Sequence, residues 1–183
     1  MVSTKHTLVA LVEDKPGVLN RMVSLFRRRG FNIVSIAVGD SEVPDLARVT
    51  FVVDGPLTMV EQVRKQLLGK IIEVVKVTDI TDEDIIIREL ALIKVKAPAE
   101  SRGGIIQVVG VFKADIVDVS QETMTIEITG TEDKIESLLD LLRPFGIREL
   151  TRTGRIAMAR GGSGIDEEKA SRPAQDNQEV EAG

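Results

Sequence analysis

Asp14, Lys15, Pro16 and Gly17 stand in a row between an apolar run and a helical pattern, and Val18 and Leu19 open that pattern. This arrangement has a chemical use. A helix N-terminus offers backbone N–H groups without intrahelical acceptors, and these suit an anion such as a carboxylate. Gly17 has no side chain, so a ligand group can approach its backbone closely. Asn32, with Ile33 at the start of the next strand-like run, offers an amide that donates and accepts. Together these groups suit the carboxylate and ammonium of a free amino acid. Read locally, Asp-Lys-Pro-Gly is also a common turn composition with nothing bound.

Other residues with chemical potential have plainer readings. His6 is the only histidine and falls in a strand pattern, where packing explains it without catalysis. There is no cysteine, hence no thiol nucleophile, disulfide or thiolate metal site. Neither G-x-S-x-G nor the phosphate-binding glycine loops occur. The acids at 82–84 lack calcium-loop spacing and suit a solvated linker. Arg27, Arg28 and Arg29 end a helix, where cations favour its dipole. Arg152, Arg155 and Arg160 flank the final strand as a basic surface. No catalytic residue and no metal ligand set is therefore expected.

The elements that must position the loop follow from periodicity. Residues 5–12 predict a strand and 16–29 a helix, with Val18, Leu19, Met22, Leu25 and Phe26 on one face. Pro16 suits the helix's first turn, Asp14 is a candidate cap, and Gly30 suits the closing position. A second strand spans 31–39. In a third, Ala47, Val49, Phe51 and Val53 alternate with Arg48, Thr50 and Val52, which predicts one buried face. A helix over 57–68, ended by Gly69, and a strand over 71–79 complete a βαββαβ order. After a short acidic stretch the pattern restarts: strand 89–96, helix 103–112, strands 114–119 and 123–129, a helix carrying Ile135, Leu138, Leu139 and Leu142, and one strand or a broken pair over 147–158. The fold class is α+β: two ferredoxin-like βαββαβ units, each an antiparallel sheet with helices on one face. Only the first has a candidate ligand loop.

The chain has 183 residues, 43% hydrophobic and only 3% aromatic, so its cores must be built from Val, Ile and Leu. The net charge of −5 argues against a general nucleic-acid binder. Residues 161–183 carry six acids and two bases, a polar acidic tail expected to be disordered and dispensable for folding. No apolar run is long enough to span a membrane, and residues 1–15 lack the parts of a signal peptide. With the missing cysteines, this fits a cytoplasmic protein.

The segment EDKPGVLNRMVSLFRRRGFNI resembles the opening of the ACT domain, a small regulatory module that binds amino acids. Further segments, GFNIVSIAVGDSEVPDLARVTFVV, QVRKQLLGKIIEVVKVTDIT, RELALIKV, FKADIVDVS and TRTGRIAMARG, narrow the resemblance to the small, regulatory subunit of acetolactate synthase (acetohydroxyacid synthase) over about residues 5–161. The resemblance implies an ACT domain over 4–80, a linker over 81–87 and a C-terminal ferredoxin-like domain over 88–160. It implies a large catalytic subunit as partner and a homodimer through the ACT domains. It also implies activation of that subunit and sensitivity to a branched-chain amino acid, usually valine. Thiamine diphosphate, Mg and FAD are expected only in the large subunit, with none in this chain. Family effector contacts map onto Asp14, Lys15, Pro16, Gly17, Val18 and Leu19, with Asn32 and Ile33 from the neighbouring ACT domain. Some relatives carry Asn where this chain has Asp14; an ionised carboxylate there suits the ligand ammonium but donates no hydrogen bond. The family region around Arg152, Arg155 and Arg160 is a further expected place of partner contact. Two other classes stay open on the sequence: a free-standing amino-acid sensor, and an assembly subunit without effector binding.

Overall fold

The structure, a computed structural model, describes residues 5–161; the tail expectation therefore lies almost wholly outside the described residues. The first unit comprises β1 (Lys5–Glu13), α1 (Val18–Arg28), β2 (Ile33–Asp40), β3 (Leu46–Asp54), α2 (Leu57–Lys70) and β4 (Val74–Asp79). Its antiparallel sheet has the order β2-β3-β1-β4. The second comprises β5 (Ile85–Lys96), α3 (Arg102–Phe112), β6 (Asp115–Val119), β7 (Thr123–Gly130), α4 (Glu132–Leu142) and β8 (Ile147–Arg152), with the order β6-β7-β5-β8. The two orders are the same when each unit's strands are numbered from its own start. The expected pair of ferredoxin-like units is what the chain forms.

Each unit has its own core. In the first, Leu8, Ala10, Val49, Phe51 and Val53 of the sheet meet Met22, Phe26, Val60, Val63 and Leu67 of the helices. The Phe26 ring stands edge-on to Phe51 with centroids 5.2 Å apart, a favourable aromatic geometry. In the second, Ala91, Ile93, Val95 and Ile126 meet Ile105, Ile135, Leu138 and Leu142.

Several local expectations are corrected. Helix α1 begins at Val18, not at 16, because Gly17 takes φ +87° and Pro16 precedes it in a turn. Among the described residues no side chain caps the helix, so Asp14 does not serve there. Helix α2 runs through Gly69 to Lys70; it stops where Ile71 turns into the core, which delays β4 to Val74. Of residues 81–87, expected as linker, 85–87 lie in β5.

The larger difference concerns the first sheet's second face. Thr7, Val9, Thr50 and Val52 are buried, so β3 is covered on both sides rather than one. The cover comes from the far unit. The break in the 147–158 segment is a turn with Gly154 at φ +84°, after which β9 (Ile156–Ala159) pairs with the first residues of β5. This two-stranded ribbon lies across the first sheet, and Val9, Ile80 and Ala157 form a small third core with Ile85 and Ile87. Helices cover one face of the first sheet and the ribbon covers part of the other.

Candidate functional site

The 14–19 loop is exposed apart from Val18, which anchors α1 in the core. The Asp14 N–H donates to the Asp45 carbonyl at 2.8 Å, tying the loop to the start of β3. The Lys15 N–H donates to the Glu13 carbonyl, and the first helical bond runs from the Arg21 N–H to the Gly17 carbonyl. The N–H groups of Leu19 and Asn20 in the first turn are left without intrahelical acceptors, as at any helix start. The left-handed backbone at Gly17 is one that side chains rarely adopt. The Arg21 guanidinium lies beside it, with Nη1 3.3 Å from where a Cβ at position 17 would sit, and it donates to Glu73. Lys15 pairs with Glu13 at 2.8 Å, and that hydrogen bond raises its pKa above the ordinary lysine value. Open backbone N–H groups beside a guanidinium can hold a carboxylate.

Asn32 and Ile33 are elsewhere. Glu13, at the loop end of β1, pairs with Leu46, whereas Ile33 pairs with Val53. Val53 lies seven residues along β3 from Leu46, roughly 23 Å at ~3.3 Å per residue. One chain thus carries the loop and Asn32 at opposite ends of the same sheet. Strand β2 is an edge strand, with one side open. Closed two-fold pairing of that edge with a second copy would be antiparallel, and would bring the second copy's Asn32 to the loop's end of the joined sheet.

His6 is packed, at 9% exposure, with Nδ1 3.6 Å from the Asp79 carboxylate. The late arginines do not form the free basic surface expected of them. Arg152 makes a fork to Glu89 at 2.9 and 3.0 Å and also reaches Glu136. Arg160 pairs with Asp84. The Arg155 side chain, 16% exposed, donates to Glu132 at 2.6 Å and to the Thr7 hydroxyl. Glu132 also accepts from Lys5 at 2.9 Å. Residues 5 and 132 belong to different units, so this cluster bridges them. Partners this far apart in sequence leave no local pattern.

The Lys5 hydrogen bond holds the Glu132 carboxyl below its ordinary value of 4.5, with Arg155 and Arg152 adding to it against the effect of burial. A carboxyl depressed in the folded state stabilises above its unfolded value and loses that contribution as the pH falls through the folded one. Replacing Glu132 by Gln should therefore lower the melting temperature most near neutral pH. The gap to wild type should narrow as the pH falls through the depressed folded-state value, below which both side chains are neutral. A gap independent of pH, measured by calorimetry, would mean that the charge is not what stabilises the contact.

Two units of one topology, the first with an open glycine loop at a helix start, define the class as a tandem ferredoxin-like protein with an ACT-type regulatory unit. The sequence profile described as "AHAS small subunit-like ACT domain" matches residues 8–76, and that described as "Small subunit of acetolactate synthase" matches residues 88–161. The chain belongs to the acetolactate synthase small-subunit family. It is 55% identical over 157 residues to the "Probable acetolactate synthase small subunit" of Archaeoglobus fulgidus, covering 86% of this chain and 98% of that one. It is 52% identical over 160 residues to the "Acetolactate synthase small subunit" of Mycolicibacterium smegmatis, covering 87% and 94%. The crystal structure of the Thermotoga maritima acetolactate synthase small subunit superimposes with a TM-score of 0.80 at 44% identity, covering 86% of this chain and 98% of that chain. Family membership implies a large catalytic subunit as partner. No helix among the described residues is long and apolar enough to cross a membrane.

Proposed function

We propose that this chain activates the thiamine-diphosphate-dependent large subunit of acetolactate synthase and makes it sensitive to feedback inhibition by a branched-chain amino acid, valine first among them. It works in the cytoplasm and holds no cofactor of its own; thiamine diphosphate, Mg and FAD belong to the large subunit. The observation that carries the reading is the 14–19 loop, where backbone N–H groups at Gly17 and the first turn of α1 are open beside Arg21. These bind the effector's carboxylate, and Asp14 takes its ammonium. Asn32 and Ile33 of a second copy close the site. The supports for a homodimer through β2 are the open edge strand, the opposite placement of loop and Asn32, and apolar surface beside that edge. Val38, Ile156 and Met158 are each more than half exposed there, around a cleft of about 360 Å³. A ligand that touches both copies shifts the enzyme only by binding one arrangement better than the other, typically with about 1–3 kcal/mol of coupling.

The test is reconstitution. Purified large subunit should gain activity on addition of this chain and lose it again with valine, leucine or isoleucine, while this chain alone should make no acetolactate from pyruvate. Light scattering should give a dimer or larger. Turnover by the chain alone, or an unchanged large subunit, would overturn the reading. A micromolar monomer unchanged in mass by effector would remove the dimer site.

A further inference from the structure

The 153–155 turn presses on β2 from the C-terminal unit. The Arg155 N–H donates to the Ser35 hydroxyl at 2.8 Å. The Gly154 backbone also passes close to β2, since a Cβ there would stand 2.9 Å from the Ile36 carbonyl oxygen and from the Ser35 hydroxyl. The approach leaves no space for a side chain at position 154, and its φ of +84° is one that residues with a Cβ rarely adopt. Ser35 is two residues from Ile33, and the register between them shifts by a bulge. A bulge bends its strand and re-aims neighbouring side chains. From the same turn, the Arg155 guanidinium runs to Glu132, the first residue of α4, which also holds Lys5 of β1. A cleft of about 370 Å³ beside this cluster, lined by Lys5, Ser35, Glu132 and Arg155, leaves room for these side chains to rearrange. Elsewhere the units meet mainly through the small apolar cluster around Val9 and Ala157, which has no polar directionality.

We propose that the Ser35–Arg155–Glu132 contact is the regulatory latch of this subunit: it couples effector occupancy at Asn32–Ile33 to the position of the C-terminal unit. The inference rests on the effector site proposed above. Ordering Asn32 and Ile33 around a ligand moves the bulged start of β2. Ser35 moves with it, and the rigid 153–155 turn passes the displacement to α4 through Arg155 and Glu132. Ser35 and Arg155 are positioning residues and touch no ligand.

The test uses the reconstituted enzyme with Ser35→Ala, which removes one acceptor, and with Arg155→Ala and Arg155→Lys. Valine binding is followed by calorimetry and activity with and without valine. Hydrogen exchange at the start of α4 is the readout that a merely structural role would not move. Both alanine variants should bind valine as wild type does, and Ser35→Ala should also activate the large subunit as wild type does. Their inhibition at saturating valine should fall by about fivefold or more, the low end of ordinary coupling factors, and the valine-induced change in exchange at 132–135 should vanish. Arg155→Lys, which keeps the charge opposite Glu132, should recover part of the inhibition. If Arg155→Ala does not fold, Ser35→Ala carries the test alone. Wild-type inhibition in Ser35→Ala and a wild-type exchange response overturn the latch while leaving the effector site standing. Parallel loss of binding, activation and inhibition also overturns it, since the contact would then only hold the fold. A wild-type enzyme unmoved by valine, leucine and isoleucine overturns both readings.

Discussion

An enzyme reconstituted with Gly17→Asp is expected to stay active at branched-chain amino acid concentrations that inhibit the wild type. Three effects act in the same direction. Position 17 has φ +87°, which a residue with a Cβ adopts at a cost of about 1–2 kcal/mol. The new side chain fills the space over the open N–H groups. Its carboxylate is drawn towards Arg21, whose Nη1 lies 3.3 Å from the Cβ position, and so stands where the effector's carboxylate would. Gly17→Ala carries the strain and part of the bulk without the charge and should give a smaller effect. Asn32→Ala should weaken effector binding by about 1–3 kcal/mol if its partners stay buried and unpaired. Activation should survive in all three, because Val18, Met22, Leu25 and Phe26 still seat α1 in the core. The measurement is activity against effector concentration, with calorimetry on the same variants. Wild-type inhibition in both Gly17→Asp and Asn32→Ala would make the loop a plain turn. Joint loss of activation and response would assign it to the subunit contact.

The second large effect concerns the two cores. Phe51→Ala should destabilise the N-terminal unit by about 3–5 kcal/mol, a large share of a small domain's stability. The ring is fully buried at the centre of β3 and makes the edge-on contact with Phe26. Losing it leaves a cavity under α1, so effector response should fall with the melting temperature. The corresponding change in the other core is Leu138→Ala, at a buried position of α4, for which about 2–5 kcal/mol is ordinary. The two clusters share no residue. Calorimetry should therefore show two transitions, with Phe51→Ala lowering one and Leu138→Ala the other, each by on the order of 10 °C or more. One transition that both variants move together would mean that the Val9–Ile80–Ala157 contact makes the units a single cooperative block.

Much of this protein is local and therefore legible in its sequence. The stripe Val18, Leu19, Met22, Leu25 and Phe26 predicts α1 because 3.6-residue periodicity is a property of neighbouring positions, and all but Leu19, which stays exposed at the stripe's margin, are buried. Gly30 at φ +69° ends that helix as its composition predicts. The repeated βαββαβ order follows from the same periodicities, and Pro16–Gly17 marks the turn that precedes the first helix. The start of α1 is less legible, because Pro16 suits a first turn as well as it suits the turn before one. The tertiary structure decided what depends on distant partners. Alternation in β3 predicts one buried face, but Thr50 and Val52 are buried too, because β9, about a hundred residues further on, pairs with the start of β5 and the ribbon covers that face. Arg152 and Arg155 read as a basic surface, since an arginine's charge is visible in a sequence and its carboxylate partners are not. Strand order separated Asn32 from the 14–19 loop, because β2 runs parallel to β1 with β3 between them. Helix and turn preferences are set within a few residues; strand order and charge pairing are set by which surfaces the folded chain brings together.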